Sequence, residues 1–112
     1  MSEVLLSEGN ISLLTQDEHA ENFYTFSGPV RCTSGFISEM TRHGLDYRTC
    51  IRSMLRLIYR AYPSGKCDYL QIFRVGETKV YVKSDFDSRI DIKEYGEYAS
   101  ELGITVLLPE EN

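Results

Sequence analysis

The chain has 112 residues and a mass of 12.9 kDa, is 42% hydrophobic and 26% charged, and carries a formal net charge of -5 with a pI near 5.0. That length holds one compact α+β domain spanning residues 1–112, with enough apolar residues for a core without staples. No apolar run approaches the roughly 20 residues that span a bilayer, which excludes a membrane partner of the spanning kind. The first residues, Met-Ser-Glu-Val-Leu-Leu-Ser-Glu, lack the basic start and apolar stretch of a signal peptide. Cys32, Cys50 and Cys67 are odd in number and widely spaced, which argues against a disulfide framework and for a reducing compartment, the cytoplasm.

In chain order, Val4-Leu5-Leu6 and Ile11-Ser12-Leu13-Leu14 flank Glu8-Gly9-Asn10 and predict an N-terminal hairpin. Asp17 to Glu21 is polar and compatible with a helical turn or a loop. Phe23-Tyr24-Thr25-Phe26 has strand composition and stops at Ser27-Gly28-Pro29. Thr33 or Ser34 caps a short helix ending near Arg42, with Gly44 as its stop. Asp46 caps a second helix that Pro63-Ser64-Gly65 terminates.

Tyr69 to Val75 and Lys79 to Lys83 then predict a hairpin around Gly76-Glu77-Thr78. A two-residue turn at Gly76-Glu77 would set Arg74 opposite Lys79, an unfavourable like-charge pair. A three-residue turn instead places Leu70, Ile72, Val80 and Val82 on one apolar face, with Phe73 opposite Tyr81 on the other. Asp91 caps a final helix with Ile92, Tyr95, Ala99 and Leu102 as its apolar seam, and Gly103 ends it. Ile104 to Leu108 is a last strand closed by Pro109. Strand pairs mixed with helices indicate helices packed on one face of a mostly antiparallel sheet. The expected core comprises Leu13, Phe26, Ile51, Leu55, Ile58, Leu70, Ile72, Val80, Val82, Tyr95, Leu102 and Val106.

The second helix holds the most specific feature of the chain. Arg48, Arg52, Arg56 and Arg60 recur every four residues, which spreads them over about 120° of helix surface. Thr49, Ser53 and Tyr59 fall in or beside that arc, and the opposite arc is apolar or small. The charge is also unevenly spread: residues 1–30 sum to -5, residues 31–60 to +4 and residues 61–112 to -4. Such a face is solvated, neutralised by the protein's own acids, or kept for an anionic partner.

Arginine forks suit bidentate carboxylate recognition and lose less solvation at an interface than ammonium groups. The expected function is therefore a non-catalytic regulatory or protein-interaction domain binding through Arg48, Arg52, Arg56, Tyr59 and Arg60. Its partner would be an acidic protein or a second copy. A homodimer would set the acidic last helix, with Tyr95 and Tyr98 among Glu94, Glu97 and Glu101, against the arginines. Nucleic acid or another polyanion is a second reading, weakened by the acidic pI and by having only Tyr59 between the arginines to stack a base.

A third reading is a small thiol-dependent enzyme using Cys32, which sits just before a helix start where the dipole lowers a thiol pKa. His43 falls about 13 Å along that helix and is a poor base for it, and nothing ties His19 to the thiol. No Cys-x-x-Cys pair supports a metal site. Asp85 to Asp91 imitates the opening of a calcium loop, but Arg89 and Ile90 occupy ligand and glycine positions, so a turn and helix cap is expected. Glycine-rich phosphate loops, Gly-x-Ser-x-Gly elbows and His-Glu-x-x-His are absent, so no cofactor is expected.

Overall fold

A computed structural model describes residues 3–16 and 22–112, apart from the side chain of Ala99. The expected turn at Asp17 to Glu21 lies outside the described residues. Strands β1 (Val4–Glu8), β2 (Ile11–Leu14), β3 (Tyr24–Thr25) and β4 (Val30–Cys32) precede helices α1 (Ser34–Arg42) and α2 (Tyr47–Ala61). Strands β5 (Leu70–Val75), β6 (Thr78–Ser84), β7 (Phe86–Asp87) and β8 (Ile104–Leu107) follow. A six-stranded sheet runs in the order β1-β2-β5-β6-β8-β4, antiparallel except for the parallel β4–β8 pair, and β3 pairs with β7 in a small second sheet. The domain is α+β, with both helices on one face of the large sheet.

Local chemistry accounts for the helix ends. The Thr33 hydroxyl accepts from the Phe36 N–H at 3.1 Å to cap α1, and Asp46 accepts from the Arg48 N–H at 3.3 Å to cap α2. Gly44, with φ +72°, takes the left-handed conformation just past the end of α1. Of the expected Phe23–Phe26 strand only Tyr24–Thr25 is ladder-paired, and Phe26 leaves the strand to enter the core.

The β5–β6 hairpin corrects the expected register. Its turn has two residues, so Arg74 does face Lys79, Phe73 faces Val80 and Gln71 faces Val82. Gly76 has φ +61°, which suits the first central position of the tight turn whose twist matches a hairpin. The core-facing residues are Gln71, Phe73, Val75, Val80, Val82 and Ser84, while Leu70 and Ile72 are half-buried on the opposite face. Burying Phe73 and Val75 is worth about 1.5–3 kcal/mol each, against about 0.2–1 kcal/mol for a cross-strand pair in water. Two polar residues disguise the core face. The Gln71 amide donates to the Asp68 carbonyl at 3.0 Å, and the Ser84 hydroxyl donates to the Thr25 carbonyl.

Helix α2 lies against the large sheet. It packs on β1, β2 and β5 through Cys50, Met54, Leu57 and Ile58, with Met54 and Leu57 fully buried. Arg56 donates to the Glu8 carboxylate of β1 at 3.2 Å, and Tyr59 donates to the Phe26 carbonyl at 2.6 Å. Glu8 lies on one outermost strand and Phe26 leads into the other, so the two sheet edges approach α2 from opposite flanks. Ile51 and Leu55, expected in the core, sit on the flank and are only half-buried.

The last helix also departs from expectation. Ile92–Glu101 forms 3₁₀ turns broken at Gly96 (φ 60°, ψ -132°), Ile92 is exposed, and Tyr95 and Leu102 are half-buried rather than in the core. A glycine in the middle of ten residues, with Glu94, Glu97 and Glu101 repelling each other along one side, leaves too little helix propensity to sustain an α-helix without a buried seam.

Leu57→Ala is expected to destabilise the domain by about 2–5 kcal/mol, and Leu55→Ala by about half as much, because its side chain is already partly exposed. Denaturant unfolding of both variants checks the rotation of α2. Equal losses would mean that the helix does not present this face to the sheet.

Candidate functional site

The arginine face forms as the period requires, with one trimming. Arg48, Arg52, Arg56, Tyr59 and Arg60 are all exposed, whereas Ser53, expected beside them, is buried at the β1 side of the helix. Arg56 is tied to Glu8, and its second nitrogen lies 3.4 Å from the Ser53 hydroxyl. Arg48 lies over the ring of Tyr47, 4.9 Å from its centroid, and Arg52 reaches the Thr49 hydroxyl at 3.5 Å. Among the described residues Arg48, Arg52 and Arg60 have no carboxylate within ion-pair distance. Tyr59 is 53% exposed with its hydroxyl anchored on Phe26, so its ring is held flat at the edge of the face.

An open depression lies on each flank of this face. One, of about 360 Å³, runs between the β1–β2 turn and the start of α2 and includes Glu8, Asp46, Thr49 and Ser53. The other, of about 310 Å³, is formed by Val30 and Cys32 of β4 with Tyr47, Arg48, Ile51 and Arg52 of α2. The first flank carries the carboxylates of Glu8 and Asp46, and the second sets two guanidinium groups beside Val30, Tyr47 and Ile51. The second depression was not legible in the sequence. Val30-Arg31-Cys32 is too short to show a strand period, and its partner β8 lies more than 70 residues downstream.

Asp46 joins the cap to the face. A hydrogen bond from the Thr49 hydroxyl at 2.8 Å, the Arg48 N–H, and the charges of Arg52 and Arg48 hold its carboxyl below the usual range. Burial raises the Cys32 thiol, with the nearby Arg48 charge working against it, and burial raises Cys50 as well. Cys67 is pushed up to about 12 by burial and by Asp68. No thiol is therefore drawn toward the thiolate by its surroundings. His43 lies 3.2 Å from Glu39 at the C-terminal cap of α1, the opposite end of that helix from Cys32, and His19 lies outside the described residues.

The acids that imitate a calcium loop are engaged in turns. Asp85 accepts from the Gly103 N–H at 3.2 Å, Asp87 pairs with Arg89 at 2.7 Å and Asp91 accepts from the Lys93 N–H at 3.0 Å. Among the described residues no cluster of three or more His, Cys, Asp or Glu is placed to hold a metal, and no helix is long and apolar enough to cross a membrane. The chain matches no known protein family, no curated protein and no solved structure.

Two measurements follow from these shifts. Hydrogen bonding and nearby charge lower the carboxyls of Glu39, Asp46, Asp87 and Glu111. The unfolded chain then takes up their protons first, so their stabilisation is complete above the ordinary carboxyl range and is lost as pH falls through the folded values. Asp46→Asn keeps an acceptor for the cap and removes the titration, so its urea midpoint should fall less between neutral pH and about pH 3 than that of the native protein. Identical acid profiles would assign Asp46 no share. With a thiol probe at neutral pH, Cys32 should react no faster than a free cysteine, and Cys67 should stay unreactive until the protein unfolds. A fast Cys32 would reopen thiol chemistry.

Proposed function

We propose that this domain is a non-catalytic interaction or regulatory protein that binds an acidic protein surface through the exposed face of α2. The observation that carries the reading is the state of the arginines. Arg56 is balanced by Glu8, while the exposed guanidinium groups of Arg48, Arg52 and Arg60 form no ion pair among the described residues, Asp46 being the acid whose carboxyl feels the charges of Arg48 and Arg52. Guanidinium groups in this condition gain most from partners that bring carboxylates in pairs. A second copy of the chain is the simplest such partner, because Glu94, Glu97 and Glu101 are exposed along Ile92–Glu101. The three free thiols suit a reducing compartment such as the cytoplasm.

A polyanion is the competing partner, and salt separates the two. Each phosphate neutralised on duplex DNA contributes about -0.9 to the slope of log K against log salt, so four arginines engaged together imply about -3.6. A carboxylate surface lacks a condensed counterion layer and gives a shallower dependence. Arg48→Glu with Arg52→Glu should leave the fold intact, because both residues are exposed and an acid at position 48 suits the positive end of α2. That double variant should abolish self-association measured by light scattering at low salt. A native protein that stays monomeric from low to moderate salt rejects the homodimer. Binding to duplex DNA with the steep slope would replace the acidic-protein reading by the polyanion one.

A further inference from the structure

The outermost strand beside the arginines has a free side. Strand β4 ends the sheet, and among the described residues only β8 pairs with it. The Pro29 carbonyl accepts from the Ile104 N–H at 2.8 Å and the Thr33 N–H donates to the Val106 carbonyl at 3.1 Å. In a parallel ladder alternate residues turn their peptide groups to the same side. Residues 29, 31 and 33 therefore face β8, and Val30 and Cys32 direct their N–H and C=O groups away from it. The same two residues, Val30 and Cys32, line the depression of about 310 Å³ together with Tyr47, Arg48, Ile51 and Arg52 of α2.

We propose, building on the acidic-partner reading of α2, that β4 receives a short extended segment of a partner protein as an added strand. The segment's backbone would bond Val30 and Cys32, an apolar side chain would enter between Tyr47 and Ile51, and flanking carboxylates would meet Arg48 and Arg52. Each element of this partner answers a group on the surface. Unpaired strand peptides call for an extended backbone, the apolar lining calls for an apolar residue, and two guanidinium groups that form no ion pair among the described residues call for acids. A helix would leave the β4 peptide groups unbonded, and a polyphosphate would leave the apolar walls uncovered. The opposite edge, β1, carries Glu8 and would repel the same segment. The shortness of β4 fits a selective site, since three residues of ladder cannot hold a strand without side-chain anchors.

The test uses the ¹⁵N-labelled protein and a pool of seven-residue peptides alternating glutamate with valine, leucine, isoleucine or phenylalanine, with capped ends. In the free protein the Val30 and Cys32 amides should exchange quickly and the Arg31 amide slowly. The pool should slow exchange at Val30 and Cys32 by about tenfold or more and leave Arg31 unchanged. N-methylation of the peptides at alternate positions in the register that faces β4 should remove the effect, and Arg48→Glu with Arg52→Glu should weaken binding by about tenfold or more. If the pool or polyglutamate perturbs the arginine side chains but never the Val30 and Cys32 amides, strand addition is overturned while the acidic-partner reading stands. A pool that changes neither set also overturns strand addition. If duplex DNA alone binds the arginines, both readings fail.

Discussion

The burial of one face of α2 is the constraint from which the rest of the molecule follows. Met54 and Leu57 have no exposed surface, and Cys50 and Ile58 have almost none, so the helix cannot turn about its axis without opening the core. A rotation of one residue position, about 100°, would also drive an arginine toward the sheet, where an unpaired charge is far costlier than a lost methylene. The direction of the arginines is thus set by the apolar residues behind them. Their outward placement needs no interaction of its own, which leaves them free to serve a partner.

The sheet completes that arrangement by bringing an edge to each flank, and the two flanks differ. On the β1 side Glu8 neutralises Arg56, and Asp46 lies in the adjoining depression. On the β4 side Arg48 and Arg52 stand beside Val30, Tyr47 and Ile51, and among the described residues β4 has no strand on its outer side. The charge asymmetry of the chain, acidic at both ends and basic between, is therefore only partly cancelled in three dimensions. What survives is a local cationic surface on a protein whose net charge is negative. Under the proposed reading, such a surface would gain little from long-range attraction to polyanions and would discriminate at contact distance, where fork geometry and shape decide.

Most elements were legible because their signals are local. Thr33, Asp46, Gly44 and the four-residue arginine period lie within or next to the helices they define, and Gly9 and Gly76 mark the tight turns. The register of β5–β6 was not legible because its core face is interrupted by Gln71 and Ser84, while the opposite face carries Leu70 and Ile72. Alternation alone favoured the wrong face, and the Arg74–Lys79 repulsion, small in water, pointed the same wrong way. The break at Gly96 defeated an apolar spacing that would have suited an intact helix. At the site, the arginines could be read from the helix, but the strand beside them could not. A parallel pairing between Val30–Cys32 and Ile104–Val106 leaves no trace in either segment, since the crossover passes through two helices and a hairpin.

The fate of the reactive side chains gives the binding reading its remaining support. Catalysis asks for a polar group held ready near its reacting partner with a pKa moved toward its task. Here several of the acids outside the arginine face are engaged in structure. Glu39 holds Arg42 and His43, Asp87 holds Arg89, Glu111 accepts from Thr33 and the Leu108 N–H, and Asp85 secures Gly103. The Gly103–Asp85 contact matters to the site as well, because a side chain at Gly103 would run into the Pro29 carbonyl that begins the β4–β8 pairing. The same glycine that closes the polypeptide against Pro29 thus aligns β4, and with it the free peptide groups that lie beside Arg48 and Arg52. In this fold Glu39, Asp46, Asp87 and Glu111 lower their pKa values by supporting turns and caps, burial moves the thiols away from nucleophilicity, and Arg48 and Arg52 stand beside the outermost strand β4.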